Sequence, residues 1–125
     1  MAAQRVRALI VDDDPDMRLL VRTVIELANE GLEVAGEAAN GSEGVQQFWD
    51  LRPDVMIVDQ RMPDMTGVDM VRQLHNASAR PDVIFFSAYL ADDVVEQMEA
   101  IGACAVLGKD AVARIPDAVW TCVGS

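Results

Sequence analysis

The sequence predicts an α/β domain, a doubly wound three-layer α/β/α sandwich around a five-stranded parallel sheet. Two observations predict it. Five short apolar or β-branched runs alternate with longer stretches of helical period, and the connections are short enough to favour right-handed crossovers with helices on both sheet faces. Length adds a bound: 125 residues suit one compact core, so a single domain over 1–125 is expected.

The predicted strands cover 6–11, 32–36, 55–58, 83–86 and 104–107. Asp14-Pro15 starts the first helix, with Asp14 as N-cap and Pro15 at the first helical position; Met17, Leu20, Val21, Val24 and Ala28 then recur on one face, and the helix ends near Gly31. Asn40-Gly41-Ser42 turns the chain into a second helix, where Val45, Phe48 and Trp49 keep a three-to-four spacing until Arg52-Pro53 stops it. A third helix runs from Gly67 to about Ala77. Val94 or Val95, Met98 and Ile101 mark the inner face of a fourth, closed by Gly102 in left-handed conformation. The fifth is expected over 111–123.

The chain is 51% hydrophobic and 25% charged, the profile of a folded globular protein and not of a disordered one. Its net charge of -11 repels phosphate backbones and anionic lipid, which argues against direct nucleic-acid or membrane binding. The first residues lack the apolar run of a signal peptide and no stretch is long enough to span a bilayer, so a cytoplasmic location is expected. Cys104 and Cys122 have no metal-ligand spacing, and in a reducing compartment they read as small core hydrophobes and not as a disulfide. His75 is expected on the surface at a helix end, with no role.

In a sheet of this kind, function is expected just beyond the carboxyl ends of the strands. There the first strand runs into Asp12-Asp13-Asp14, the third into Asp59, the fourth into Ser87 and the fifth toward Lys109. Helix capping explains Asp14. It does not explain the rest, because Asp12, Asp13 and Asp59 crowd three negative charges that raise one another's pKa unless a cation shares the site. Oxygen-only ligands with open positions suit Mg2+, which retains waters and accepts phosphate oxygens. Lys109 can meet one phosphate oxygen and the Ser87 hydroxyl can donate to another, so the set suits phosphoryl transfer with Asp59 as the nucleophile. An EF-hand reading of Asp12, Asp14 and Asp16 fails, since no Gly stands sixth and Thr23 stands twelfth. A haloacid-dehalogenase-like phosphatase generally has a second Asp two residues after the nucleophile, where this chain has Arg61.

Val11-Asp12-Asp13-Asp14-Pro15, Pro53 through Asp59 with Met62-Pro63 and Gly67, Phe86-Ser87-Ala88, Gly102-Ala103 and Leu107-Gly108-Lys109 together resemble the receiver domains of bacterial two-component response regulators. The resemblance covers almost the whole chain. It implies the flavodoxin-like strand order 2-1-3-4-5. It implies that Asp59 accepts phosphate from a histidine kinase or histidine phosphotransfer protein, and that the chain catalyses only its own phosphorylation and dephosphorylation. Asp13, Asp59 and the backbone carbonyl of Arg61 would ligate Mg2+, with Asp12 acting through water. Ser87 and Lys109 would hold phosphate oxygens. The signal would leave by the face of the fourth helix, fifth strand and fifth helix, toward a second copy of the chain or a downstream effector.

Some positions depart from the family pattern. Val106 stands where an aromatic usually switches, which supports a rival reading as a constitutive interaction module that keeps the fold and site without phosphorylation-dependent switching. Lys109 is followed by Asp110 and not Pro, so a cis bond there, costing roughly 2.5 to 4 kcal/mol, is not expected. The Lys109-Asp110-Ala111 run resembles LuxR/NarL-type receivers, although no helix-turn-helix fits before Ser125. Gly44 replaces the commoner Ala and predicts a looser second helix. Arg61 and Tyr89 occupy positions that in the family control water access to the phosphate.

Overall fold

The computed structural model describes residues 5–28 and 31–124. The expectations for the amino-terminal residues 1–4, for the end of the first helix at 29 and 30, and for residue 125 lie outside the described residues. In chain order the elements are β1 (Val6–Val11), α1 (Pro15–Ala28), β2 (Leu32–Ala38), α2 (Gly41–Leu51), β3 (Val55–Val58), α3 (Gly67–Asn76), β4 (Asp82–Ser87), α4 (Asp92–Ala100), β5 (Ala105–Gly108), a 3₁₀ turn (Lys109–Arg114) and α5 (Ile115–Val123). The strands form one parallel sheet in the order β2-β1-β3-β4-β5.

The continuous apolar runs of the inner strands follow from burial on both faces. Alternate side chains divide between two cores. Leu9, Val11, Met56, Val58, Val83 and Phe85 face α2, α3 and α4, where they meet Phe48, Val71, Leu74 and Met98. Ala8, Ile10, Val55, Ile57, Ile84 and Phe86 face α1 and α5, where they meet Val21, Ile25, Ile115 and Val119. Each large side chain so buried contributes about 1.5 to 3 kcal/mol. The same alternation fixes register, because a one-residue slip would exchange the two cores. β1 pairs with β3 from Ala8↔Val55 to Val11↔Val58, which brings the residues following both strands side by side.

Helix ends follow local chemistry. Asp14 Oδ1 accepts from the Asp16 N–H at 2.9 Å, the capping role expected of it. Asn40 caps α2 and Thr66 caps α3, each accepting from the N–H three residues on. Arg52 closes α2 in left-handed conformation at φ 49°, and Gly102 follows α4 at φ 92°.

The structure corrects several expectations. Leu20 is 40% exposed and Trp49 36% exposed, because each helix buries only a narrow stripe and both lie at its edge; Trp49 stacks instead on the Arg52 guanidinium, 4.6 Å from its ring. The fifth helix starts at Ile115 and not at residue 111: a 3₁₀ turn with non-helical Ala111 precedes it, and Pro116, which belongs in a first turn, marks the true start. Val94 is the α4 residue that packs inward with Met98 and Ile101. Cys104 and Cys122 are joined in a disulfide, contrary to the reading as separate core thiols. Their Cα atoms lie 5.7 Å apart, within the span such a bond requires, a proximity that β5 and α5 create across eighteen residues of sequence. Gly44 is buried where a Cβ would come within 3.1 and 3.2 Å of the Val11 methyls and 2.8 Å of the Met70 sulfur, so its helix penalty is offset by close approach of α2 to the sheet.

Candidate functional site

Two strands deliver the acidic residues to one edge. Asp12 follows β1 and Asp59 follows β3; the Asp59 N–H donates to the Val11 carbonyl at 2.9 Å and the Asp12 N–H to the Ala38 carbonyl at 3.0 Å, so both backbones are held by the sheet. Both side chains are buried, Asp12 at 3% and Asp59 at 8% exposure, whereas Asp13 is exposed. Carboxylate oxygens of Asp12, Asp13 and Asp59 lie within 4.8 Å of one another.

Lys109 enters from the end of β5. Its ammonium stands 2.5 Å from Asp12 Oδ2 and 3.8 Å from Asp59 Oδ2, and 5.1 Å from the centre of the Phe86 ring. Ser87, wholly buried at the end of β4, accepts from the Tyr89 N–H at 3.2 Å. Asp12, Asp13, Asp59 and Lys109 face a cavity of about 470 Å³ whose lining also includes Arg61 and Tyr89. The Arg61 guanidinium lies 3.6 Å from the centre of the Tyr89 ring and forms part of that rim. Val106 packs half-buried against the core. The structure thus brings together the side chains of Asp12, Asp13, Asp59, Lys109 and Ser87, with the Arg61 guanidinium at the rim.

Burial pushes the Asp59 carboxyl above its ordinary range, and the neighbouring Asp12 charge pushes further in the same direction. Lys109, the Gln60 N–H and the Ser87 hydroxyl act against that rise without cancelling it. Three carboxylates against one nearby ammonium leave room for a cation, and the donors are all oxygen. That set fits Mg2+, a hard cation that takes one or two carboxylates and keeps open positions for other oxygens.

Several supporting residues are absent from the sequence reading. Gln60 is buried; its Oε1 accepts from the Val68 N–H at 3.0 Å and its carbonyl accepts from the Gly67 N–H at 2.9 Å, which ties the start of α3 to the residue after Asp59. Asp64 accepts from the Gly41 and Ser42 N–H groups, both at 2.9 Å, and these bonds hold its carboxyl below the ordinary range. Arg18 donates to the Asp12 carbonyl at 2.7 Å. The only sequence signal for Gln60 is adjacency to Asp59, and Asp64 has none, because its partners are more than twenty residues away.

The family model described as "Response regulator receiver domain" matches residues 8–119. The chain is 41% identical over 99 residues to a protein-glutamate methylesterase/protein-glutamine glutaminase of Alkalilimnicola ehrlichii, covering 79% of this chain and 25% of that protein. It is 40% identical over 82 residues to chemotaxis protein CheY of Thermotoga maritima, covering 66% of this chain and 67% of that protein. Among solved structures, the response regulator domain of Thermotoga maritima CheB superposes with a TM-score of 0.89 at 21% identity, covering 98% of each chain. The match to the methylesterase relative spans only about a quarter of that protein's length.

Proposed function

The chain belongs to the response regulator receiver domain family, and from that premise we propose that it is a phosphorylation-activated switch whose phosphoacceptor is Asp59. The observation that carries this reading is the clustering of the Asp12, Asp13 and Asp59 carboxylates within 4.8 Å in one cavity with Lys109.

An Asp59 carboxylate oxygen attacks the phosphorus of a phosphohistidine on a histidine kinase or histidine phosphotransfer protein. The P–N bond breaks, the imidazole takes a proton, and an acyl phosphate forms on Asp59. Ser87 donates to one phosphoryl oxygen and Lys109 pairs with another, giving up part of its contact with Asp12. Asp13, Asp59 and the Arg61 carbonyl would hold Mg2+, with Asp12 acting through water; when bound, the ion neutralises charge on the phosphoryl oxygens. Signal leaves by the face of α4, β5 and α5 toward a second copy or an effector. The domain extends over 1–125 and works in the cytoplasm; no helix among the described residues is long and apolar enough to cross a membrane.

Lys109→Ala tests the roles of the site. The variant is expected to keep its fold and to bind Mg2+ within about tenfold of wild type, since it removes a cation and no ligand. Its amide spectrum should nevertheless respond to beryllofluoride with less than about half the wild-type shifts, and Asp59→Asn should not respond. Wild-type-sized shifts in Lys109→Ala would remove Lys109 from the switch, and a response in Asp59→Asn would remove Asp59.

A further inference from the structure

We propose that Cys104 and Cys122 form a reversible redox clamp, which when oxidised fastens the last turn of α5 to the start of β5 and when reduced releases it. The two members differ in the way such a clamp needs. Cys104 is exposed immediately before β5, whereas Cys122 is buried on the inner face of α5. Beside Cys104 lies a cavity of about 270 Å³, lined also by Arg114, Asp117 and Thr121, which gives a reductant room to approach. An exposed disulfide of this kind belongs to the labile class and not to the inert one.

The bond closes a ring from β5 through the 3₁₀ turn to α5, and Lys109 lies within that ring. Apart from that bond, the unit is held by Leu107, Ile115 and Val119 in the core beneath it. β5 is an edge strand of four residues paired only with β4, and α5 has nine residues. Cutting the ring restores freedom to the segment it encloses, so α5 should open more readily after reduction.

A dithiol reductant supplies the electrons. Its thiolate attacks the Cys104 sulfur, the S–S bond breaks, and Cys122 leaves as a thiolate that takes up a proton. The second thiol of the reductant then displaces the mixed disulfide and leaves Cys104 as a thiol. Two electrons and two protons pass to the chain, and the reductant departs as its own disulfide.

The redox chemistry does not rest on the receiver reading, and the test uses no phosphodonor. The oxidised chain is exposed to dithiothreitol without denaturant, free thiols are trapped with a maleimide and counted by intact mass, and hydrogen exchange is followed in parallel. Two thiols should appear together and re-form the bond on reoxidation. Exchange over 115–123 should quicken about tenfold or more on reduction while 55–58 stays unchanged. A Cys104→Ser, Cys122→Ser double variant should show the fast pattern in either buffer, which separates loss of the bond from any direct effect of the reductant. Thiols that resist trapping until the chain is unfolded, a bond that does not form under oxidising conditions, or equal exchange in the two redox states would each overturn the proposal.

Discussion

Gly67→Ala is expected to cost about 3 kcal/mol, a fall of roughly 10 °C or more in melting temperature, and to weaken the acidic site with the fold. A Cβ at this position would sit 2.5 Å from the Asp59 carbonyl oxygen, 3.0 Å from a Val58 methyl and 3.1 Å from the Phe85 ring. The first of these is main chain at the end of an inner strand and cannot rotate away. Either α3 withdraws, breaking the Gly67 N–H bond to the Gln60 carbonyl, or the backbone of Asp59 moves. Gly102→Ala is the control: its φ of 92° disfavours a side chain, yet nothing lies within 4 Å of the added carbon. It should cost about 1 kcal/mol. Urea unfolding of both variants checks the difference, and a Gly67→Ala as mild as the control would contradict the close approach.

Asp59→Asn should melt higher than wild type in chelator and lose most of the stabilisation that Mg2+ gives. Burial and the Asp12 charge hold the Asp59 carboxyl above its ordinary value of 3.8, so the folded chain favours the neutral form more than the unfolded chain does. That contribution to stability is fully present below the ordinary value and is lost as pH rises through the raised one. Wild type in chelator should therefore lose stability across that window relative to Asp59→Asn, in which the group no longer ionises. Free Mg2+ at ten times its dissociation constant should restore wild type by RT ln 11, about 1.4 kcal/mol, or about 3 to 6 °C. Asp92→Asn, at the exposed start of α4, should change neither quantity. Melts of the three proteins across pH, with chelator and with Mg2+, check this. A wild-type melt indifferent to Mg2+, or an Asp59→Asn less stable than wild type in chelator at neutral pH, would count against the carboxylate site.

Strands and site were legible in the sequence for a shared reason. Residues buried on both sheet faces leave an unbroken apolar run, and polar or charged residues within two positions after such runs lie at one edge of a parallel sheet, which places Asp12, Asp59, Ser87 and Lys109. What stayed hidden depends on contacts distant in sequence. The Cys104–Cys122 bond needs the last turn of α5 to reach the residue before β5, and the bonds from Gly41 and Ser42 to Asp64 need the start of α2 to meet the loop before α3. The start of α5 is different in kind: Pro116, which suits only a first helical turn, is a local signal that places it after the 3₁₀ turn.

Phosphorylation itself is tested most directly by intact-mass measurement after incubating the chain with a small-molecule phosphodonor and Mg2+. The wild-type chain should gain one phosphoryl group, chelator should suppress the gain, and Asp59→Asn should show none. A wild-type mass that does not change, or an equal gain in Asp59→Asn, would contradict the assignment of Asp59 as phosphoacceptor.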